Sequence, residues 1–297
     1  MIVKSKAPVR IDFAGGWTDV DMFARGAGGA VINATIDKYV TGRMEIADSS
    51  DGSESEGIAV SYQSDLPSGC GLGTSSSLNV VWLSLIKSQV SSSEDRKMIA
   101  NLAYDLEAIL GILGGKQDQY ASALGGFNFM SFGDKVEVEP VNIAPETVAE
   151  MEDRLVLAYT GKPRLSGNIH EHVWGAYRAG VPETVNALYN LRNVAIRMKT
   201  VLEKGDLGEF AELLSQNWKH QKQLDASITN EQIEELFDEA FKHGAVGGKA
   251  CGAGGGGCVL FCVEPNRRAD VEQVVERLGS RIIPFKFEFE GLQVSRE

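Results

Sequence analysis

Apolar and polar positions along the chain follow two different periods. Val3–Phe13 is rich in apolar and β-branched residues and predicts a strand; Ala30–Ile46 repeats the character at a length that fits one long strand or a hairpin. Ile58–Gln63 adds a short strand, and the polar, acidic run Asp48–Glu56 before it reads as a solvated loop. From Thr74 the period becomes helical and carries through Leu78–Ile86. A second helix is expected over Arg96–Leu113, opened by a Ser93-Glu94-Asp95 cap and faced by Ile99, Leu102, Ala103, Leu106, Ile109 and Leu110. Gly114-Gly115 ends it. A short segment, Lys116–Leu124, then leads to Gly125-Gly126 and a strand at Phe127–Phe132.

Around Asn142–Asp153 the character changes. Arg154–Thr160 reads as a strand, followed by helices over Ser166–Arg178, Pro182–Glu203, Asp206–Leu224 and Asn230–His243. Strands at Gly247–Ala250 and Cys258–Val263, a helix at Asn266–Leu278 and a last strand at Ile282–Glu288 complete the pattern. A β-rich first half, a helical middle and a β-α-β end predict an α+β fold in two halves, residues 1–152 and 153–297.

The composition narrows the function. A chain of 297 residues with 43% hydrophobic and 24% charged residues has the make-up of a globular protein with a sizeable core. No apolar run approaches the length of a membrane span, and the first residues lack a signal-peptide pattern, so the expected location is cytoplasmic. The net charge of −12 argues against nucleic acid or an anionic membrane as partner. Any bound phosphate must then be held by local devices. Cys70, Cys251, Cys258 and Cys262 lack the paired spacing of a zinc site and read as buried thiols.

One such device is Pro67-Ser68-Gly69-Cys70-Gly71-Leu72-Gly73-Thr74-Ser75-Ser76-Ser77. Its glycines admit close approach of backbone to an anion, and its hydroxyls fall in the first turn of the helix, at the positive end of the helix dipole. The same stretch also fits a capped helix after a flexible loop. A second Gly-rich segment, Gly247–Gly257, matches G-x-G-x-x-G at Gly252, Gly254 and Gly257, but a strand follows it where a dinucleotide site needs a helix. A loop packing its backbone against a ligand explains it better. A third glycine pair, Gly15-Gly16, precedes Thr18 and Asp19, and three glycine loops suggest one shared site. Among the acids, Glu107 has mostly apolar neighbours on its helix, and Asp118 follows the Gly114-Gly115 break. Beside a phosphate cradle, such an acid could receive a hydroxyl proton or hold a metal, although a solvated helix residue and a helix cap are the plainer readings.

Lys6–Asp19, Pro67–Ser77 and Lys249–Gly257 resemble, in order and spacing, the three motifs of the GHMP small-molecule kinases, and the resemblance spans nearly the whole chain. Within that family, Gly114–Ala121 and Gly125–Asn128 resemble the bacterial heptose 7-phosphate kinases, while Gly15-Gly16-Trp17-Thr18-Asp19 also resembles the kinase part of fucokinases. The resemblance implies a first half like the second domain of ribosomal protein S5, a ferredoxin-like second half, and a site between them. It implies ATP and Mg²⁺ as cofactors. Pro67, Gly69, Gly71, Leu72, Gly73, Thr74, Ser75 and Ser76 would surround the ATP phosphates, and Ser75 and Glu107 would hold the metal. Asp118 would be the catalytic aspartate with Arg10 beside it. Thr18 and Asp19 would bind sugar hydroxyls, and Gly252, Gly254 and Gly255 would support the substrate from the second half. Arg164, with Lys162 or Arg25, is the candidate partner for a phosphate already on the sugar. The implied activity is phosphorylation of a sugar hydroxyl, the anomeric one of a heptose 7-phosphate or a similar sugar, by a monomer or homodimer. A kinase of an unphosphorylated sugar such as fucose is the alternative. A catalytically silent sugar- or nucleotide-binding relative is the rival from another class, and the presence of Asp118, Glu107, Ser75 and Arg10 speaks against it.

Overall fold

The computed structural model describes residues 1–46, 57–163 and 166–297. The acidic run Asp48–Glu56 and Arg164 therefore lie outside the described residues. The first half comprises β1 (Ile2–Ala14), α1 (Asp21–Ala27), β2 (Gly29–Ile46), β3 (Ile58–Ser64), α2 (Thr74–Lys87), α3 (Ser93–Ile109), α4 (Gln117–Leu124), β4 (Phe127–Phe132), β5 (Val136–Pro140) and α5 (Pro145–Arg154). The second comprises β6 (Leu155–Tyr159), α6 (Ser166–Arg178), α7 (Pro182–Lys204), α8 (Leu207–Lys222), α9 (Glu231–Lys242), β7 (Ala245–Ala250), β8 (Cys258–Val263), α10 (Arg268–Arg277), β9 (Arg281–Ile282) and β10 (Gln293–Arg296).

Two antiparallel sheets result, in the order β10-β1-β2-β4-β5 with β3 on β2, and β7-β8-β6-β9. Both are largely covered, which explains the nearly unbroken apolar runs. One face of the first sheet carries α2, α3 and α4, where Val80, Val81 and Ile99 of the helices join Val40 and Met130 of the strands in one core. The opposite face shares a core with the second half, where Phe13, Ile32 and Phe127 meet Met198, Phe210 and Leu260. Alternation divides the second sheet: Leu155, Leu157 and Leu260 enter that shared core, while Val156, Ala158, Val259 and Phe261 pack with α9 and α10. The fold is α+β.

Local chemistry sets several boundaries. Ser92 caps α3, accepting from the Asp95 amide while the Asp95 side chain accepts from the Ser92 amide, a capping box worth about 0.5–2 kcal/mol. The cap lies one residue before the expected Ser93. The helix stops at Ile109 rather than Leu113, because Ile109, Leu110, Ile112 and Leu113 are at least half exposed or close to it and bury no face that would extend it. The expected last strand, Ile282–Glu288, also differs. Only Arg281–Ile282 pairs with β6, Phe287 bridges to Ile36, and the final strand is β10, which returns to the first sheet beside β1.

Candidate active site

Strand alternation builds the floor of a cleft. Val9, Ile11 and Phe13 point into the shared core, so Arg10 and Asp12 point the other way. The cleft, about 330 Å³, is lined by these two residues and by Asp19, the Gly69–Ser76 region, Glu107, Asp118, His170 and Gly252. Both halves contribute to it.

Arg10 is 3% exposed and organises the centre. Its Nε donates to Asp118 Oδ1 at 2.8 Å, Nη2 lies 2.6 Å from the same oxygen, and Nη1 donates to the Gly71 carbonyl at 2.8 Å. The Arg10 amide donates to the Leu72 carbonyl at 3.0 Å. One side chain thus ties the cradle to the acid. Burial alone would lower the Arg10 pKa, but Asp118 and Asp12 reverse the effect and raise it. Asp118 sits in the first turn of α4 with a fifth of its side chain exposed.

Gly73, in the left-handed region at φ 78°, caps α2, and a Cβ there would stand 3.2 Å from Asp118 Oδ2. The Asp118 carboxyl thus occupies the space that a side chain at position 73 would need. Thr74, Ser75 and Ser76 line the cleft, with Ser75 exposed and Ser76 buried. Glu107 is buried and accepts from Asn79 Nδ2 at 2.9 Å and Gln119 Nε2 at 2.8 Å. Burial raises its pKa against the opposing hydrogen bonds from Ser76, Asn79 and Gln119. A carboxylate and a hydroxyl at a helix start fit a hard cation that takes its remaining ligands from phosphates and water.

Asp19 is 2% exposed and accepts from the Gln117 amide at 3.0 Å. Its carboxyl is pushed up to about 7, by burial first and by the charges of Asp118 and Asp12, while the Gln117 amide opposes the shift. Near neutral pH it is a mixture of acid and carboxylate, able to donate to or accept from a hydroxyl. Thr18, expected beside Asp19 at the ligand, is fully buried. Its hydroxyl accepts from the Ala30 amide and has one proton to share between the carbonyls of Gly15, at 2.7 Å, and Ala30, at 3.0 Å, so it holds the turn together.

The remaining expected residues are more scattered. Gly252 lines the cleft, whereas Gly254 packs on Ile228 and Gly255 on Ser227 and Ile169. Leu72 is core, and Pro67 lies outside the lining. The Lys162 side chain is exposed, and Arg25 pairs with Asp21 at 2.8 Å. Sequence reasoning missed Asp12 and Gln117 in the lining, Gln119 behind Glu107, and the tilted Trp17–His170 ring pair, whose centroids are 4.5 Å apart. Trp17 holds a left-handed φ of 79°, a costly conformation for a bulky residue and one that tends to mark functional turns. The alternation of Arg10 with Asp12 was the one sequence signal that could have found Asp12.

Comparison with known proteins gives consistent matches. Residues 38–126 match the model of the GHMP kinases N terminal domain, and residues 198–282 match that of the GHMP kinases C terminal domain. The chain is 30% identical to a D-glycero-alpha-D-manno-heptose 7-phosphate kinase of Campylobacter jejuni over 98% of both proteins. It is 25% identical to a bifunctional fucokinase/GDP-fucose pyrophosphorylase of Arabidopsis thaliana, over 90% of this chain and 30% of that protein. A solved D-glycero-D-manno-heptose 1-phosphate kinase from Bacteriodes thetaiotaomicron superposes with a TM-score of 0.77 and 29% identity, over 99% of each chain.

Proposed function

Since this chain belongs to the GHMP kinases, which are ATP-dependent phosphotransferases, we propose that it phosphorylates a sugar, at the anomeric hydroxyl of a heptose 7-phosphate or a similar substrate. The observation that carries the reading is the Arg10–Asp118 pair, held against the Gly71–Thr74 cradle at the centre of a cleft shared by both halves. The similarity to heptose phosphate kinases supports the substrate class. The working division of the chain is 1–152 and 153–297, with β10 returned to the first sheet. No helix among the described residues is long and apolar enough to cross a membrane, and a cytoplasmic enzyme is part of the reading.

Phosphoryl transfer asks mainly for positioning and neutralisation of charge. The cradle glycines and the first turn of α2 would bind the ATP phosphates through backbone amides and hydroxyls. Ser75 and Glu107 would hold Mg²⁺, which neutralises phosphate charge when bound. Asp118 orients the sugar hydroxyl and accepts its proton as that oxygen bonds to the γ-phosphorus and the bridging oxygen leaves with ADP. Arg10 holds the Asp118 carboxyl in place through Nε and Nη2 and stays close as charge redistributes. Asp19 bonds a second sugar hydroxyl.

One observation favours a second reading, an unphosphorylated sugar such as fucose. Among the described lining residues, Arg10 faces Asp12, Asp19, Glu107 and Asp118, a poor setting for a sugar phosphate. ADP release measured with ATP and Mg²⁺ decides between them, using mannose, fucose, galactose, sedoheptulose 7-phosphate and D-glycero-D-manno-heptose 7-phosphate, with the product read by phosphorus NMR. An anomeric product from the heptose phosphate upholds the first reading. Turnover on free sugars alone replaces it with the second, and ATP binding without any turnover points to a silent relative.

A further inference from the structure

Lys249 lies at the end of β7 in the second half, yet its side chain crosses to the first. Its Nζ donates to Asp12 Oδ2 at 2.8 Å and to the Asp12 carbonyl at 2.7 Å. The side chains are 0% and 2% exposed, so neither charge is solvated. Such a pair is a weak device for stability, because apolar residues of the same volume usually serve as well or better. Something other than stability must account for a lysine here.

The surroundings supply it. Asp12 stands two residues from Arg10 on the same face of β1, and its charge acts on Arg10, Asp19 and Cys251. Left alone, a buried Asp12 carboxylate would compete with Asp118 for the Arg10 guanidinium. Lys249 pairs instead with Asp12 Oδ2, and Oδ1 is left buried without a hydrogen-bond partner among the described residues. Two residues further on, the Cys251 carbonyl oxygen lies 2.6 Å from where a Cβ on Gly71 would be, and the Cys258 amide donates to the Cys70 carbonyl at 2.7 Å. The strand that carries Lys249 therefore continues into the loop that backs the cradle.

We infer that Lys249 is a positioning residue for phosphoryl transfer: by neutralising Asp12 it reserves Arg10 for Asp118 and seats the 251–257 loop beneath the cradle. The inference rests on the reading of Arg10 and Asp118 given above. Lys249 is not among the residues that line the cleft, whereas Asp12 is, so Lys249 acts through Asp12.

The test compares Lys249→Met, Asp12→Asn and the double variant Asp12→Asn/Lys249→Met with the wild type and Asp118→Asn. The kcat, the KM for ATP and the KM for sugar are measured per folded molecule, with folded fraction from thermal melts. Lys249→Met is expected to lose roughly tenfold or more in kcat with a smaller change in either KM, and the double variant to recover most of that loss, because no uncompensated charge remains. If Lys249→Met is too unstable to assay, the two Asp12→Asn proteins still decide. Asp12→Asn alone leaves the Lys249 charge buried, so the double variant should exceed it in kcat per folded molecule. Unchanged kcat per folded molecule in the single variants overturns the inference and leaves a purely structural pair. A stable double variant no better than the singles also overturns it. Asp118→Asn with wild-type kcat would instead defeat the underlying reading, whatever the Lys249 variants do.

Discussion

Gly115→Ala places a methyl group where the structure holds the Asp19 carboxyl. The added Cβ would lie 1.8 Å from Asp19 Oδ2, 2.1 Å from Cγ and 2.5 Å from Oδ1. Ordinary contact needs about 3.4 Å or more, so the carboxyl must shift by roughly 1–2 Å. That shift breaks its 3.0 Å bond from the Gln117 amide. Overpacking of a filled site costs about 1–3 kcal/mol, which for a chain of this size lowers Tm by roughly 2–10 °C. The larger effect falls on the sugar. A displacement of about 1 Å in a positioning group can cost about a hundredfold, so kcat/KM for the sugar should fall by that order while the KM for ATP changes little. The pH profile adds a signed check. The Gln117 amide bond lowers the Asp19 pKa, so its loss should move Asp19 further above about 7. Steady-state kinetics with each substrate varied in turn, from pH 6 to 9, would show these changes. An unchanged kcat/KM for the sugar, in a protein whose Tm has dropped, would refute the placing of Asp19 at the sugar.

Two further outcomes are expected. Asp118→Asn keeps the size of the side chain and an acceptor for Arg10 but removes the base, so kcat should fall by about 10²–10⁴-fold with ATP affinity by calorimetry preserved; near-normal turnover would remove Asp118 from the base role. The Cys70 thiol is lowered to about 6, chiefly by its hydrogen bond with Cys258 and also by Thr74 and Arg10, against the effect of burial. Its reaction with a small alkylating reagent should therefore level off above about pH 7 and be slowed by ATP, whereas a rate still climbing toward pH 9 would contradict this environment.

Much of the architecture was legible because its signals are local. The hydroxyls at Thr74–Ser77, the helical period after them and the strand following Gly257 needed only neighbouring residues to be read. Where local pattern and tertiary environment part company, the reading failed. Ile109 and Leu110 looked like a continued apolar face of a helix running to Leu113, yet they are 83% and 65% exposed, and Ile112 and Leu113 line the cleft outside any helix. Segment 283–288 has the alternation of a strand but is spread between two sheets, bonding Leu157 of one and Thr35 of the other. In the site, Asp118 and Glu107 stood out through their unusual neighbours. Asp12 and Lys249 did not, because their meaning lies in a contact between positions 237 residues apart. Thr18 misled for the converse reason: its place beside Asp19 suggested a ligand contact, while the tight turn uses its hydroxyl as both donor and acceptor.

The return of the chain to its first sheet has a mechanical consequence. After β9 the backbone is fastened in turn to Leu157, Asp37, Thr35 and Ala123 before β10 joins β1. The two halves are thus linked by two covalent crossings, one ahead of β6 and one along this returning segment. Two tethers leave rotation only about the axis through both crossings, and the shared apolar core behind the cleft opposes separation of the halves. At the rim of the cleft, Ile112, Leu113 and Gly114 form a short stretch of chain without helix or strand. Changes in that rim should alter how fast substrates enter and products leave, without disturbing the alignment of Arg10 and Asp118 beneath.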